Sequence, residues 1–218
     1  MTSILEGLVL DGLDLNSAGA TTRPWVPTDI TGCELWLAAD NITGKNDGDA
    51  VSTWTDASTG GHNATQVTGS LQPLYKTGIL NSKPALLFDG VDDQISSTLA
   101  ADTSRTVFIV AKATADTGAA NLFGFGSTSR ARIKAGLGYE WVNDQAAALQ
   151  ALGGSVSTTA QVITMKVVSA ASLVFYMNGT QTASFDPNDA VTTGTTLNLG
   201  APAAGVWPGY IFEVVSYS

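Results

Sequence analysis

Short apolar strands separated by turn signals recur along most of this 218-residue chain. The clearest is LVFYMNGTQTASF, at residues 173–185, where two runs flank Asn178-Gly179, a dipeptide that favours a type I′ hairpin turn. The other runs of this kind are CELWLAAD (33–40), PALLFDG (84–90), TVFIVAKAT (106–114), QVITMKVVS (161–169), TTLNLG (195–200) and GYIFEVVSYS (209–218). Many strands without alternating helices predict an all-β protein, a two-sheet antiparallel β-sandwich.

One stretch departs from this pattern. NDQAAALQALGG, at residues 143–154, is rich in alanine and ends in two glycines, which favours a short helix. The same stretch is also compatible with a pair of strands in a sandwich. We expect the helix and leave the strand pair as the alternative.

Residues 1–30 are predicted to form a docking arm and linker, followed by one domain over residues 31–218. LVLDGLDL, at residues 8–15, has the pattern of two short strands around Asp11-Gly12. An isolated hairpin is marginally stable in water, so the arm is expected to need a partner surface. The side chains expected to dock are the apolar ones of the arm and linker: Leu8, Leu10, Leu13, Leu15 and Trp25.

Charge and hydropathy exclude two kinds of partner. The net charge of −9 repels phosphate backbones, so we expect no nucleic acid partner. No apolar run approaches the roughly 20 residues that span a bilayer, so we expect no membrane partner. The N-terminus also lacks the basic region and cleavage site of a secretory signal, which predicts synthesis and folding in a cytoplasm.

Familiar catalytic constellations are missing from the sequence. Glycanases need two carboxylates that face one cleft, which calls for alternate spacing on a strand. None of the four glutamates has an acidic residue two positions away: Glu6, Glu34, Glu140 and Glu213. The single histidine, His62, lies in a glycine-rich loop and is interpreted as a turn residue. We therefore predict no enzyme activity and no catalytic cofactor.

A metal ion is the one chemical alternative that the carboxylates suggest. LLFDGVDDQI, at residues 86–95, places Asp89, Asp92 and Asp93 around one glycine at the end of a strand. Calcium takes about 6–8 oxygen ligands, several of them from carboxylates. Aspartate is also an ordinary turn residue, since it hydrogen-bonds its own backbone. The sequence leaves open a structural Ca²⁺ site and a solvated turn.

Sugar binding would use aromatic side chains at the surface, because an apolar ring with a polar edge suits a sugar. Four aromatic residues are candidates for such a surface: Tyr139, Trp141, Trp207 and Tyr210. Trp36 and Trp54 are expected to pack between the sheets instead. Trp207 in GVWPGY precedes the last strand and is the first candidate.

Four stretches, taken in their order along the chain, resemble the concanavalin A-like, laminin-G-like jelly-roll domains. They are LWLAAD (35–40), DGDAVSTWTDASTGGHNATQ (47–66), QPLYKTGILNSKPALLFDGVDDQI (72–95) and the pair VFYMNGT (174–180) with GYIFEVVSYS (209–218). These domains occur in bacterial surface proteins and bacteriophage structural proteins. ILEGLVLDGLDL, at residues 4–15, looks like the opening of tail and other virion proteins of tailed phages. Because this fold serves lectins, glycanases and structural modules alike, the resemblance implies a fold more than a function.

The resemblance implies a structural protein of a bacteriophage particle, a minor tail protein, that displays a lectin-like jelly-roll domain. Its expected localisation is the virion, and its expected partners are other virion subunits, held through the arm, and host glycans. It is expected to be a homo-oligomer in the assembly. The alternatives are a capsid decoration protein and a carbohydrate-binding adhesin domain of a bacterial surface protein.

Overall fold

The computed structural model describes residues 23–100, 102, 104–115, 120–126, 129–134, 138–143, 148–153, 155–169, 172–185, 196–200 and 205–218. Residues 1–22 lie outside the described residues, and with them the predicted docking side chains Leu8, Leu10, Leu13 and Leu15. The predicted boundary between arm and domain stays a prediction.

The described residues form strands joined by short turns. Three single 3-10 turns cover Pro27–Asp29, Ala39–Asn41 and Gly69–Leu71. The strands are β1 (Cys33–Ala38), β2 (Thr53–Trp54), β3 (Ala64–Thr65), β4 (Leu74–Leu80), β5 (Lys83–Asp89), β6 (Ile95–Thr98), β7 (Arg105–Ala113), β8 (Ala120–Phe125), β9 (Ser129–Lys134), β10 (Gly138–Asn143), β11 (Ala148–Gly153), β12 (Gln161–Ser169), β13 (Ser172–Met177), β14 (Thr180–Phe185), β15 (Thr196–Leu199) and β16 (Pro208–Tyr217).

These strands form two sheets of eight. The first sheet has the order β14-β13-β12-β7-β16-β5-β4, and β1 pairs with the second half of β16. The second sheet has the order β11-β10-β9-β8-β15-β6-β3-β2. All the pairings between named strands are antiparallel. The predicted two-sheet antiparallel β-sandwich of jelly-roll type is confirmed.

The core lies between the inner faces of the two sheets. Alternate residues of β7 (Val107, Ile109, Ala111) face alternate residues of the second sheet such as Phe123 and Phe125, and all are buried. Burying a large apolar side chain stabilises a fold by about 1.5–3 kcal/mol, so this cluster supplies most of the driving force. The partial alternation of buried and half-buried residues along β7 follows from this packing, because successive side chains of a strand point to opposite faces.

A buried ion pair closes one end of the sandwich. Arg105 Nε donates to Glu34 Oε1 over 2.6 Å, and Arg105 Nη2 donates to the Ala100 carbonyl over 2.6 Å. Ser216 Oγ donates to the same Glu34 oxygen over 2.8 Å. The Arg105 side chain has no solvent exposure and lies against the ring of Phe125. This network ties β1, β7 and the last strand together.

The hairpin predicted at Asn178-Gly179 is confirmed, and both residues have the positive φ angles that a type I′ turn requires. The helix predicted over residues 143–154 is wrong. Described residues 148–153 form β11, which pairs with β10 in the second sheet. Cross-strand hydrogen bonds and packing against the sandwich outweigh the weak helix propensity of the alanines.

Aromatic packing between the sheets is confirmed for Trp54 but not for Trp36. Trp54 is fully buried in the main core. Trp36 lies on the outer side of the first sheet, in a small cluster with Val215, and its Nε1 donates to Glu213 over 2.7 Å. No helix among the described residues has the length and apolar character needed to cross a membrane.

Candidate functional site

A groove of about 470 Å³ lies on the outer side of the second sheet, a volume typical of small-molecule sites. Its lining comes from β3, from β6 and from the loop that precedes β3. The lining residues are Gly61, His62, Asn63, Thr65, Ser96, Thr98, Leu99 and Ala100. We call these eight residues the hydroxyl groove, because the outward side chains of its two strands are Thr65, Ser96 and Thr98.

Strand alternation places these hydroxyl groups outside. Ala64, Ile95 and Ser97 are buried toward the core, so Thr65 and Ser96 point the other way. These two residues stand opposite each other in the pairing of β3 with β6. The groove floor is therefore a regular, hydrogen-bonded sheet surface and holds its shape without a ligand.

The loop wall of the groove is built by one buried carboxylate. Asp56 Oδ1 accepts hydrogen bonds from the backbone N–H groups of Trp36 and Ser58, each over 2.8 Å. Asp56 Oδ2 accepts from the Ser58 hydroxyl and from the His62 N–H, each also over 2.8 Å. In return the Asp56 N–H donates to Asn63 Oδ1 over 2.9 Å. One side chain thus fixes the path of residues 56–63.

Two further contacts fix His62 at the groove. Ser97 Oγ donates to the His62 carbonyl over 2.6 Å, which ties the loop to β6. Gly60 passes so close to β1 that a Cβ atom there would lie 2.1 Å from the Glu34 carbonyl oxygen and 2.7 Å from His62 Cδ2. Only glycine fits that position, and its absent side chain leaves room for the imidazole ring.

The aromatic residues predicted to bind sugars do not form an exposed surface. Tyr139, Trp141 and Trp207 are buried in the main core, with exposed fractions of 2%, 1% and 0%. The predicted exposure of these three is wrong. Trp207 turns inward because Gly209 has no side chain, and a Cβ atom there would lie 2.9 Å from the Trp207 Nε1. Tyr210 is half-buried on the outer face of the first sheet, beside Lys112 Nζ.

The three carboxylates of the predicted metal site do lie together, with candidate ligand atoms all within 4.8 Å of one another. Asp89 Oδ1 accepts from the Val91 N–H over 2.7 Å, and Asp93 Oδ2 accepts from the Asp89 N–H over 2.9 Å. Burial, and then the charges of Asp89 and Asp92, raise the pKa of Asp93 to about 6.

These hydrogen bonds, which Asp89 and Asp93 accept from nearby backbone N–H groups, are those of an ordinary aspartate turn, the alternative to a Ca²⁺ site that the sequence left open. Three carboxylates with two oxygens already accepting N–H groups supply part of the shell of about 6–8 oxygens that calcium takes. Water would have to complete that shell. The Ca²⁺ prediction stays a prediction.

The described part of the linker is attached to the domain. Val26 packs against the Trp36 cluster, and Tyr217 Oη donates to the Pro27 carbonyl over 3.0 Å. Trp25, the one predicted docking residue that is described, is 40% exposed. The linker residues Val26 and Pro27 are therefore attached to the outer face of the first sheet.

Each described glutamate has its own partner, and none of these pairings brings two glutamates into one cleft. Glu34 binds Arg105, Glu140 binds Arg132, and Glu213 accepts from Trp36 Nε1. Glu6 lies outside the described residues. The described glutamates thus act in structural hydrogen bonds.

Sequence reasoning missed the hydroxyl groove. The groove depends on Asp56, which is 20 residues from Trp36 and 6 from His62 in the chain. A signal was present in the WTDASTGGHN segment, where an aspartate, a serine and two glycines precede the histidine. The interpretation of His62 as a turn residue did not connect it with the strand hydroxyls of β6.

No protein-family model matches the chain, and no curated protein is similar to it in sequence. Its similarities are to solved structures. Domain 4 of an extracellular GH43 arabinanase from Geobacillus stearothermophilus, in complex with arabinotriose, has a TM-score of 0.59 at 16% identity, over 85% of this chain and 92% of that chain. An arabinofuranosidase complexed with arabinofuranosyl-α-1,2-xylobiose has a TM-score of 0.63 at 13% identity.

The arabinofuranosidase match covers 88% of this chain and 61% of that one. The ligand binding domain of botulinum neurotoxin serotype D, in complex with N-acetylneuraminic acid, has a TM-score of 0.58 at 15% identity, over 86% of this chain and 47% of that chain. The chain thus spans nearly the whole arabinanase domain and about half of the toxin domain. At these identities the similarity establishes the jelly-roll sandwich fold, which occurs both within enzymes and in binding domains.

Proposed function

We propose that this chain is a carbohydrate-binding β-sandwich module that binds its sugar in the hydroxyl groove. The observation that carries the proposal is the groove itself, a preformed site whose polar side chains are three hydroxyls, the Asn63 amide and the His62 imidazole. One solved domain of the same fold, and two larger proteins that contain such a fold, were determined with sugars bound, which makes a sugar the first ligand to test.

The chemistry of the groove suits a sugar. Thr65, Ser96 and Thr98 each offer a hydroxyl that donates and accepts, as the hydroxyls of a sugar do. The exposed Ala100 at the edge of the groove offers a small apolar contact for the C–H face of a ring. Each neutral hydrogen bond contributes about 0.5–1.5 kcal/mol net, so a few of them give a Kd in roughly the millimolar range.

A glycan array followed by isothermal titration calorimetry tests this function. The informative variants are His62→Ala and Ser96→Ala, which change the groove wall and its floor without touching the core. The matched control is Ser184→Ala, an exposed serine of β14 in the other sheet. Binding that weakens in the two groove variants and not in the control supports the proposal. Absence of any glycan binding would overturn it.

We propose that the module has no catalytic activity of its own, since each described glutamate is held by a structural partner. Incubation with arabinans, xylans and sialylated glycans, with detection of new reducing ends, tests this. Hydrolysis that survives purification to homogeneity would contradict it.

We also propose the larger setting as a bacteriophage particle, in which the chain is a minor tail protein anchored by its N-terminal arm as a homo-oligomer. The supporting features are the tail-protein-like start of the sequence and the attachment of the linker to the first sheet at Pro27. Deletion of residues 1–22 leaves the Val26 and Pro27 contacts in place and is expected to abolish incorporation. Unchanged incorporation would refute the anchoring role, and labelling on the capsid shell would favour a decoration protein instead.

A further inference from the structure

Resting on the proposed function, the structure also indicates which class of sugar the hydroxyl groove takes. Among the described residues that line it, none is an aspartate, glutamate, lysine or arginine, and the His62 imidazole is the one titratable side chain. The buried carboxylate of Asp56 stands behind the loop wall, with its oxygens engaged by four donors. Arg105 reaches the Ala100 carbonyl behind the groove, but its side chain has no solvent exposure and is paired with Glu34, so it offers no exposed charge to a ligand.

This lining disfavours an anionic sugar. A carboxylate that leaves water for a groove without lysine or arginine loses its hydration without gaining a permanently charged partner. The chain as a whole carries a net charge of −9, which adds long-range repulsion at low ionic strength. A neutral sugar meets neither obstacle, because its hydroxyls exchange water for the hydroxyls of β3 and β6.

Beside the groove, a row of outward polar side chains continues across the sheet. Ser96 stands opposite Asn198 of β15, and Thr98 stands opposite Thr196 of the same strand. Leu197 and Leu199 are buried, so Thr196 and Asn198 point outward beside the groove hydroxyls. Asn198 Nδ2 donates to the Gly126 carbonyl over 2.7 Å, which fixes the plane of its amide.

The resulting cross-strand row consists of Thr65, Ser96 and Asn198. Neighbouring strands lie about 4.8 Å apart, so the row repeats a polar group at a spacing close to the length of one sugar ring. We infer that the hydroxyl groove binds a neutral, linear oligosaccharide that lies across β3, β6 and β15, with successive sugar units over successive strands.

Calorimetric titration with matched ligands tests this inference. One series holds neutral linear oligosaccharides of two, three, four and six units, and a second holds anionic counterparts with uronic or sialic acid units. The affinity is expected to rise with length up to three or four units and then level off. Anionic counterparts are expected to bind at least about 10-fold more weakly, because the carboxylate of the ligand would lose water without gaining a charged partner.

The Asn198→Ala variant tests whether a longer ligand reaches beyond the groove to β15. It is expected to weaken the binding of the four-unit ligand by about 2- to 12-fold, the value of one net hydrogen bond, while leaving the two-unit ligand almost unchanged. Gln181→Ala, an exposed residue of β14, is the matched control and should change neither.

The outcomes separate the two claims. If no sugar of either series binds, the proposed function fails, and the inference with it. If only the anionic series binds, the module is a sugar-binding domain and the inference about neutral ligands is wrong. If the neutral series binds without dependence on length, or if Asn198→Ala weakens short and long ligands alike, the orientation across the strands is wrong.

Discussion

Replacing Asp56 by asparagine should weaken both the fold and the groove, and the size of the effect follows from its contacts. The side chain is 8% exposed and accepts four hydrogen bonds. In Asp56→Asn the remaining oxygen can keep the Trp36 and Ser58 N–H groups. The new amide then faces the His62 N–H, donor against donor. The Ser58 hydroxyl can still donate to the Glu34 carbonyl, which it contacts over 2.9 Å.

The variant thus loses chiefly the bond to His62. A hydrogen bond to a charged acceptor is worth about 1.5–3 kcal/mol, so the free energy of unfolding should fall by about 2 kcal/mol. For a domain of this size that corresponds to a fall in Tm of about 4–8 °C. Asp56→Ala removes both acceptor oxygens, and with them all four hydrogen bonds, and should lower the free energy of unfolding by about 3–6 kcal/mol.

Urea denaturation followed by tryptophan fluorescence measures these changes, and calorimetry on the same samples measures sugar binding. Asp47→Asn is the control, because Asp47 is exposed and pairs with Lys76 at the surface. It should shift the denaturation midpoint far less. An unchanged midpoint in Asp56→Asn, together with unchanged sugar affinity, would refute the role of Asp56 as the support of the groove wall.

Other parts of the fold give predictions of their own. Arg105→Met should lower the free energy of unfolding by about 3–5 kcal/mol, because it leaves the Glu34 carboxylate buried without its partner. Adding Glu34→Gln should recover much of the loss. Denaturation of the single and double variants measures both effects. Trp207→Ala should lower the free energy of unfolding by about 3–5 kcal/mol through a core cavity, and a variant that keeps full stability but loses sugar binding would contradict the buried position. The raised pKa of Asp93, about 6 against 3.8 for the ordinary side chain, means that the folded state holds the proton more tightly. In calcium-free buffer the free energy of unfolding should therefore fall as the pH rises from about 4 through about 6, and Asp93→Asn should flatten this dependence in denaturation curves recorded at each pH.

Much of the fold was predictable because the strands carry their own signal. The apolar runs in the sequence coincide with β1, β5, β7, β12 and β16 of the structure. The Asn178-Gly179 turn depends on backbone dihedrals that only a few residues adopt, so two letters suffice to identify it. These are local properties, and the sequence displays them directly.

The errors arose where contacts between distant residues decide the outcome. The alanines of β11 favour a helix by themselves, but pairing with β10 supplies hydrogen bonds and burial that a short helix there would lack. Trp207 was expected at the surface, yet the glycine at position 209 opens the interior to it.

The groove shows the same limit. His62 acquires its position from Asp56 and Ser97, and Ser96 faces it only because β6 pairs with β3. None of these relations has a fixed spacing in the sequence. Outward hydroxyls on a strand are ordinary surface residues until a neighbouring loop makes a wall beside them.

Mapping of a bound neutral oligosaccharide by backbone NMR is the most direct test of the hydroxyl groove as the sugar-binding site. Titration of the labelled protein with a four-unit neutral ligand should shift the amide signals of the loop 60–63 and of Thr65, Ser96, Thr98 and Asn198, and leave those of β13 and β14 in the other sheet unchanged. Saturable shifts confined to the first sheet, or no shifts at millimolar ligand, would contradict the assignment of the hydroxyl groove as the sugar site.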